Sequence, residues 1–198
     1  MTRTGYSMSF TTGGLFRRES LLLAELYLTL KDWAAVRDAV VAENLLQART
    51  RRTLTRVCSE VVSRLKLLRP QELEFLVSAG FRDQGYVLWL AVCRRYPFIG
   101  EFAAEVVRER FLTLKADVPA GEFDAFFNRK AEQYETLDEI TPTTREKLRQ
   151  VLFKMLREVD LLTAGNEIRA AGLSPALVTL IRRGNPGDAL FFPDLNAM

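Results

Sequence analysis

The feature that most constrains this 198-residue chain is a helical spacing of apolar residues along almost its whole length. The clearest stretch carries apolar side chains at intervals of three or four residues: Leu54, Val57, Cys58, Val61, Val62, Leu65 and Leu68. That spacing places them on one face of an α-helix. No run of strict alternation is longer than a short hairpin, and no repeat of about 20–50 residues is present. The sequence therefore predicts a compact, multi-helix, all-α globular protein.

Breaks in this pattern predict how the chain is organised. Segments 117–122 and 135–142 are the candidate boundaries, because each is rich in turn-forming or polar residues. We expect an N-terminal helical body over residues 1–135, with a helix-turn-helix at about 32–68. A smaller winged-helix-like unit and tail would fill residues 136–198. Two short β-compatible pieces flank Ala164-Gly165-Asn166, so one small hairpin wing is expected at 161–169.

The residue types that are missing exclude several classes of enzyme. The chain has no histidine and two cysteines, Cys58 and Cys93. It therefore lacks a Ser-His-Asp or Cys-His nucleophile, an imidazole base and the roughly four ligands of a structural zinc site. Acidic residues show no spacing that would gather them in a pocket. We expect a protein that is not an enzyme and that holds no cofactor or metal.

The charge is distributed unevenly along the chain. The net charge is +3, but residues 1–70 hold 12 basic and 6 acidic side chains. The basic residues comprise 22 arginines and 6 lysines. Arginine suits phosphates and base edges because its guanidinium presents a planar fork of donors. A polyanionic partner explains this bias, and so does a GC-rich genome, so composition leaves both open.

The first candidate site lies on the helix predicted after a turn at Asn44–Gln47. With about 100° per residue, Arg49, Arg52 and Arg56 fall opposite the apolar face, within about 60° of one another. They extend roughly 10 Å, comparable to the width of a major groove. A helix, a turn and this Arg-rich helix form the pattern of a helix-turn-helix. The alternative is a solvated face of an amphipathic helix.

The second candidate site lies on the helix that begins after Thr141-Pro142. One sector opposite its core face carries polar and basic side chains: Thr143, Lys147, Gln150, Lys154 and Arg157. A helix followed by a hairpin is the pattern of a winged helix, in which Arg169 would be the wing residue nearest a phosphate. A small packing unit with a merely soluble face is the alternative.

Two weaker signals concern the start of the chain and its location. Gly13-Gly14 precedes a helix and could admit a phosphate, but a loop that needs a positive φ explains the pair better. The first ten residues lack the apolar core of a secretion signal, and no apolar run reaches the 18–20 or so residues of a membrane span. We expect a cytoplasmic protein without membrane contact.

Three stretches of the sequence resemble a known family. They are "SFTTGGLFRRESLLLAELYL", "DWAAVRDAVVAENLLQARTRRTLTRVCSEVVSRL" and "GLSPALVTLI…GDALFFP". They are similar to the BrxA proteins of BREX phage-exclusion systems, and the resemblance runs over about residues 7–193. It implies a small cytosolic all-α protein with basic helix-turn-helix elements that binds double-stranded DNA without known catalysis. On this resemblance the basic element corresponds to Arg49, Arg51, Arg52 and Arg56.

Together these features predict a non-enzymatic protein that binds double-stranded DNA and acts in phage defence, with a monomer expected. Arginine–phosphate contacts would make binding salt-sensitive, with low sequence selectivity unless Arg52 or Lys154 reaches base edges. The alternative is an adaptor that docks a larger component of the same system, such as its DNA methyltransferase. An exposed apolar patch near Phe153, or on the Phe191-Phe192 tail, would favour the adaptor.

Overall fold

The computed structural model of the protein describes residues 5–11 and 13–195. Within them lie ten α-helices, a π-helical segment and two short 3₁₀ segments. In chain order the helices are α1 (Arg17–Leu30), α2 (Trp33–Ala42), α3 (Arg51–Leu65), α4 (Pro70–Ser78), α5 (Phe81–Arg95), α6 (Pro97–Phe102), α7 (Glu109–Leu112), α8 (Ala120–Ala131), α9 (Pro142–Glu158) and α10 (Pro175–Arg183). The prediction of an all-α protein is confirmed.

The chain divides into two compact units. One comprises Leu15–Ala91, and the other comprises Met1–Gly14 together with Val92–Met198. We call them the α3 unit and the α9 unit, after the helices that carry the two candidate sites. The division falls inside α5, whereas the expected boundary near residue 135 lies within the α9 unit.

In the α3 unit, helices α1, α2 and α3 contact one another in pairs, and α4 packs on α1. The apolar face predicted on α3 is buried, apart from the partly exposed Val57. Pro70 opens α4, because its fixed φ and missing N–H suit the first turn of a helix. Glu72 accepts the backbone N–H of Arg69 at 2.7 Å and so caps the start of α4.

In the α9 unit, an aromatic cluster forms the centre of the core. The ring of Phe98 contacts those of Phe123, Phe126 and Phe127 at centroid distances of 5.0–5.9 Å. Phe153 of α9 joins the cluster through Phe102 at 6.2 Å. Edge-on contacts of this kind are favoured by the charge distribution of aromatic rings. The helical spacing of these aromatics therefore marks core positions.

The predicted hairpin wing at 161–169 is wrong. Among the described residues the only β-type pairings are two isolated antiparallel bridges, Leu162 with Ile168 and Asp117 with Glu167. Thr163 and Glu167 close a tight turn, but the N–H of Ile168 donates to Ala116 at 2.8 Å. No ladder extends beyond the bridge next to the turn, because the backbone N–H groups of Leu161 and Leu162 donate to Leu156 at the end of α9.

Candidate nucleic-acid interface

The connection between α2 and α3 is held by side-chain hydrogen bonds. Asp32 caps α2 by accepting from the backbone N–H groups of Ala34 and Ala35. In the connection, the Asn44 side chain both donates to and accepts from the backbone of Ala48, at 3.1 and 3.0 Å. Asn44 has a left-handed φ of 47°, which asparagine tolerates better than most residues. Eight residues separate the two helices, more than the three or four of a simple helix-turn-helix.

Helix α3 begins later than the helical spacing of its arginines implied. Thr50 is its N-cap, and the Thr50 hydroxyl accepts the backbone N–H of Thr53 at 3.2 Å. Arg49 therefore precedes the helix, and the helical angle predicted for it is wrong. Arg51, Arg52 and Arg56 lie within the first six residues of α3, as expected.

The four arginines Arg49, Arg51, Arg52 and Arg56, here called the basic α3 face, are all exposed. None of them makes a side-chain hydrogen bond or ion pair with another residue in the part of the chain that the structure describes. The one acidic residue of α3, Glu60, instead binds Arg64 at 2.7 Å, and its side chain is 17% exposed. The positive charge at the start of α3 is therefore not neutralised by its own helix.

One further cation lies near this face and was not predicted. Arg18 of α1 donates to the Gln47 side chain at 3.1 Å, which places it beside the connection. No local motif marks Arg18, because its position follows from the packing of α1 on α3.

The second site is here called the α9 face. Its residues are exposed, as predicted, but several of its charged side chains already have partners within the protein. Its members Thr143, Lys147, Gln150, Lys154, Arg157 and Arg169 are all exposed. The Thr141 hydroxyl caps α9 by accepting the backbone N–H of Thr144 at 3.3 Å, and Pro142 takes the first helical position. Local sequence thus fixes where α9 starts and which residues point outward.

Several members of the α9 face are already engaged. Lys154 pairs with Glu158 at 3.6 Å, and Arg169 pairs with Asp160. Arg157 donates to the Asn166 side chain at 2.7 Å, and Gln150 donates to Glu146 at 3.3 Å. The α9 face therefore carries less uncompensated positive charge than the basic α3 face.

The glycine pair before α1 does not offer a phosphate site. Gly13 has a φ of 87°, which confirms the need for a residue without a side chain. Gly14 is buried against Glu158, and a Cβ there would lie 2.8 Å from the Glu158 carboxyl carbon. A carboxylate thus occupies the space beside this loop, and it would repel an incoming anion.

The described residues offer no metal site and no membrane span. They hold no cluster of three or more histidine, cysteine or acidic residues that could bind a metal ion. No helix in the same ranges is both long enough and apolar enough to cross a membrane. Both cysteines are free and buried.

Comparison with known proteins decides the family. The family model described as BrxA matches residues 4–185. The chain belongs to the BrxA family. A protein of Escherichia coli O9:H4 (strain HS) named "BREX protein BrxA" is 25% identical over 173 residues, which cover 86% of this chain and 81% of that protein. A protein of the same name from Paramagnetospirillum magneticum (strain AMB-1) is 25% identical over 194 residues, covering 93% and 94%.

A solved structure supports the fold of this BrxA-family chain. The crystal structure of an uncharacterized protein from Magnetospirillum magneticum superposes with a TM-score of 0.84 at 20% sequence identity. The match covers 98% of this chain and 100% of that one. At this identity the likeness establishes the fold alone. The family and its BREX phage-defence setting therefore rest on the sequence matches.

Proposed function

We propose that this BrxA-family protein is a non-enzymatic accessory component of a BREX system that binds double-stranded DNA through the basic α3 face. The observation that carries the proposal is the cluster of four exposed guanidinium groups between Arg49 and Arg56. No acidic side chain pairs with any of them within the described residues. Such a concentration of unneutralised charge is the electrostatic footprint of a polyanion-binding surface.

Duplex DNA fits this surface better than other polyanions do. A helix fits the major groove of B-DNA, and a recognition helix presents its N-terminal residues there. Three of the four cations of α3 lie within its first six positions, and the fourth, Arg64, is buried. Arg18 supplies further charge on the neighbouring α1, beside the connection, where it would meet phosphates.

The α9 face is proposed as a secondary contact. Lys147 and Arg157 have no acidic partner in the portion of the α9 unit that the structure describes. Lys154 and Arg169 would first have to leave Glu158 and Asp160. DNA contact there would replace existing ion pairs, so the net gain in binding free energy would be small.

The experiment is duplex binding by fluorescence anisotropy at low salt. We expect the triple variant Arg49→Ala, Arg52→Ala, Arg56→Ala to bind a 30-base-pair duplex roughly tenfold or more weakly than wild type. The matched control replaces three exposed cations elsewhere, Arg82, Lys115 and Arg183, with alanine. Equal losses in the two triple variants would contradict a dedicated site on α3.

A second candidate function, a protein-docking adaptor, is favoured by one exposed apolar feature. Most of the aromatic side chains expected to support it are covered: Phe153 and Phe192 are 4% and 0% exposed, and Phe191 is partly exposed. Instead, Leu112 at the end of α7 is 49% exposed, and Leu114 just after it is 93% exposed. For the adaptor, Leu112→Ala with Leu114→Ala should weaken nuclease-resistant binding to a purified BREX component, such as the methyltransferase. Loss of DNA binding in the same variant would count against it.

A further inference from the structure

We propose that Arg52 and Arg56 read guanine bases in the major groove, so that the protein prefers certain sequences over duplex DNA in general. This inference rests on the proposed function, because it assigns a ligand chemistry to the same basic α3 face. Guanine presents two acceptors, O6 and N7, in the major groove. The planar guanidinium fork can donate to both at once.

The position of these two side chains on α3 carries the inference. Leu54 marks the buried side of the helix, and Arg52 and Arg56 each lie within about 20° of the opposite direction. They are separated by about 6 Å along the axis, close to two base-pair steps. Among the α3 side chains they therefore project furthest from the unit's core, toward the floor of a groove that receives the helix.

The rest of this row allows close approach to DNA. Ser59 and Ser63 follow Arg52 and Arg56 at helical spacing, so no bulky side chain continues the row. The Ser63 hydroxyl is turned to the backbone carbonyl of Glu60 at 2.8 Å. The Glu60 carboxylate is directed to Arg64, so it does not oppose a nucleic acid on the outer face.

The flanking arginines have a different geometry. Arg51 lies about 100° around the helix from Arg52, and Arg49 precedes the N-cap. From these positions they face the walls of a groove, where phosphates lie. Phosphate contacts position a protein on DNA but carry no sequence information. The same face thus contains two residues suited to bases and two suited to the backbone.

The α9 face does not offer the same arrangement. The Arg157 guanidinium is held by Asn166, and Arg169 is held by Asp160. Lys147 is a point charge without the planar fork that pairs with guanine in two bonds. Base reading is therefore assigned to α3.

The test uses a pool of duplexes with a randomised central segment. The wild-type protein is expected to enrich sequences with guanines at two positions about two steps apart. The variant Arg52→Gln with Arg56→Gln should lose this preference, which we expect to be roughly five- to a hundredfold for each guanine contact. The matched variant Arg49→Gln with Arg51→Gln removes the same charge. It should bind all duplexes more weakly and keep the preference.

Replacing the enriched guanines with 7-deazaguanine, which lacks the N7 acceptor, should reduce wild-type affinity. It should leave the affinity of the Arg52→Gln, Arg56→Gln variant unchanged. Wild-type binding without base enrichment would overturn the inference and leave the proposed function standing. Enrichment that persists after Arg52 and Arg56 are replaced would also overturn it. No binding to the pool by wild type would overturn the proposed function itself.

Discussion

The arginines of this protein have two kinds of surroundings: some bond to buried polar groups and stabilise the fold, and others are exposed and available to a ligand. Arg94 pairs with the buried Asp188 at 2.7 Å, and Arg108 donates to the backbone carbonyls of Phe192, Pro193 and Leu195. These side chains satisfy buried polar groups that would otherwise be costly. Arg52 and Arg56 satisfy nothing within the described chain. Composition cannot separate the two roles, because both count equally in the 22 arginines.

Gly14 provides a test of packing at a single residue. Gly14→Ala would place a methyl group against the carboxylate end of the Glu158 side chain, which can shift, and we expect it to lower the free energy of unfolding by less than about 1 kcal/mol. Gly121→Ala is the matched control, because a Cβ there meets nothing within 4 Å and alanine is the better helix former. It should raise stability by about 0.5–1 kcal/mol. Urea unfolding measures both, and equal effects would contradict the packing described for Gly14.

Individual elements were predictable where the signal is local. Side-chain caps and prolines determine where helices start, so Thr141-Pro142 marked the start of α9 correctly. The errors arose where distant residues decide the outcome. The hairpin at 161–169 is reduced to the single Leu162–Ile168 bridge, because the end of α9 holds the backbone of Leu161 and Leu162. Arg49 was assigned to α3 because helical spacing extends past the Thr50 cap.

The N-cap of α3 can be tested directly. Thr50→Ala removes the acceptor of the Thr53 N–H and should lower the free energy of unfolding by about 1 kcal/mol. Thr50→Ser keeps a hydroxyl and should retain most of the stability. Thermal unfolding of the two variants checks this expectation. If both variants matched wild type, Thr50 would not be the residue that begins the helix.

The N-terminal segment, residues 5–11, gives a prediction about pH. The Tyr6 hydroxyl donates to Glu101 at 2.6 Å, and its ring packs on those of Tyr134 and Phe98. Burial and the Glu101 charge raise the pKa of Tyr6 above its ordinary value of 10.0. The folded state therefore keeps the proton while the unfolded state releases it near pH 10. The contribution of Tyr6 to stability is complete below pH 10 and is lost as pH rises.

The measurement for Tyr6 is urea unfolding of wild type and Tyr6→Phe at pH 8 and pH 11. The free energy of unfolding of wild type, relative to that of Tyr6→Phe, should be lower at pH 11 than at pH 8. Lys130, whose ammonium pairs with Glu101 at 2.5 Å and with Glu105 at 2.7 Å, is present in both proteins. A difference that stays constant with pH would contradict a shifted pKa at Tyr6.

At the scale of the whole molecule, the net charge of +3 does not show which cations pair with carboxylates and which remain unpaired. In the α9 unit most of the cations discussed above meet carboxylates, as Arg145 and Arg149 meet Asp124 at 3.0 and 2.7 Å. At the start of α3 they do not. The sequence located this excess, because only Glu60 is acidic between Gln47 and Arg69. It could not show which cations are neutralised, since partners such as Asp124 and Asp160 are brought in by the fold.

The salt dependence of duplex binding tests the central claim most directly. Each phosphate contact adds about 0.9 to the slope of log affinity against log salt concentration, because binding releases counterions. We expect the Arg49→Ala, Arg52→Ala, Arg56→Ala variant to have a slope shallower than wild type by about 2–3 if all three arginines meet phosphates. It should be shallower by only about 1 if Arg52 and Arg56 contact bases alone. An unchanged slope would show that the basic α3 face does not bind DNA.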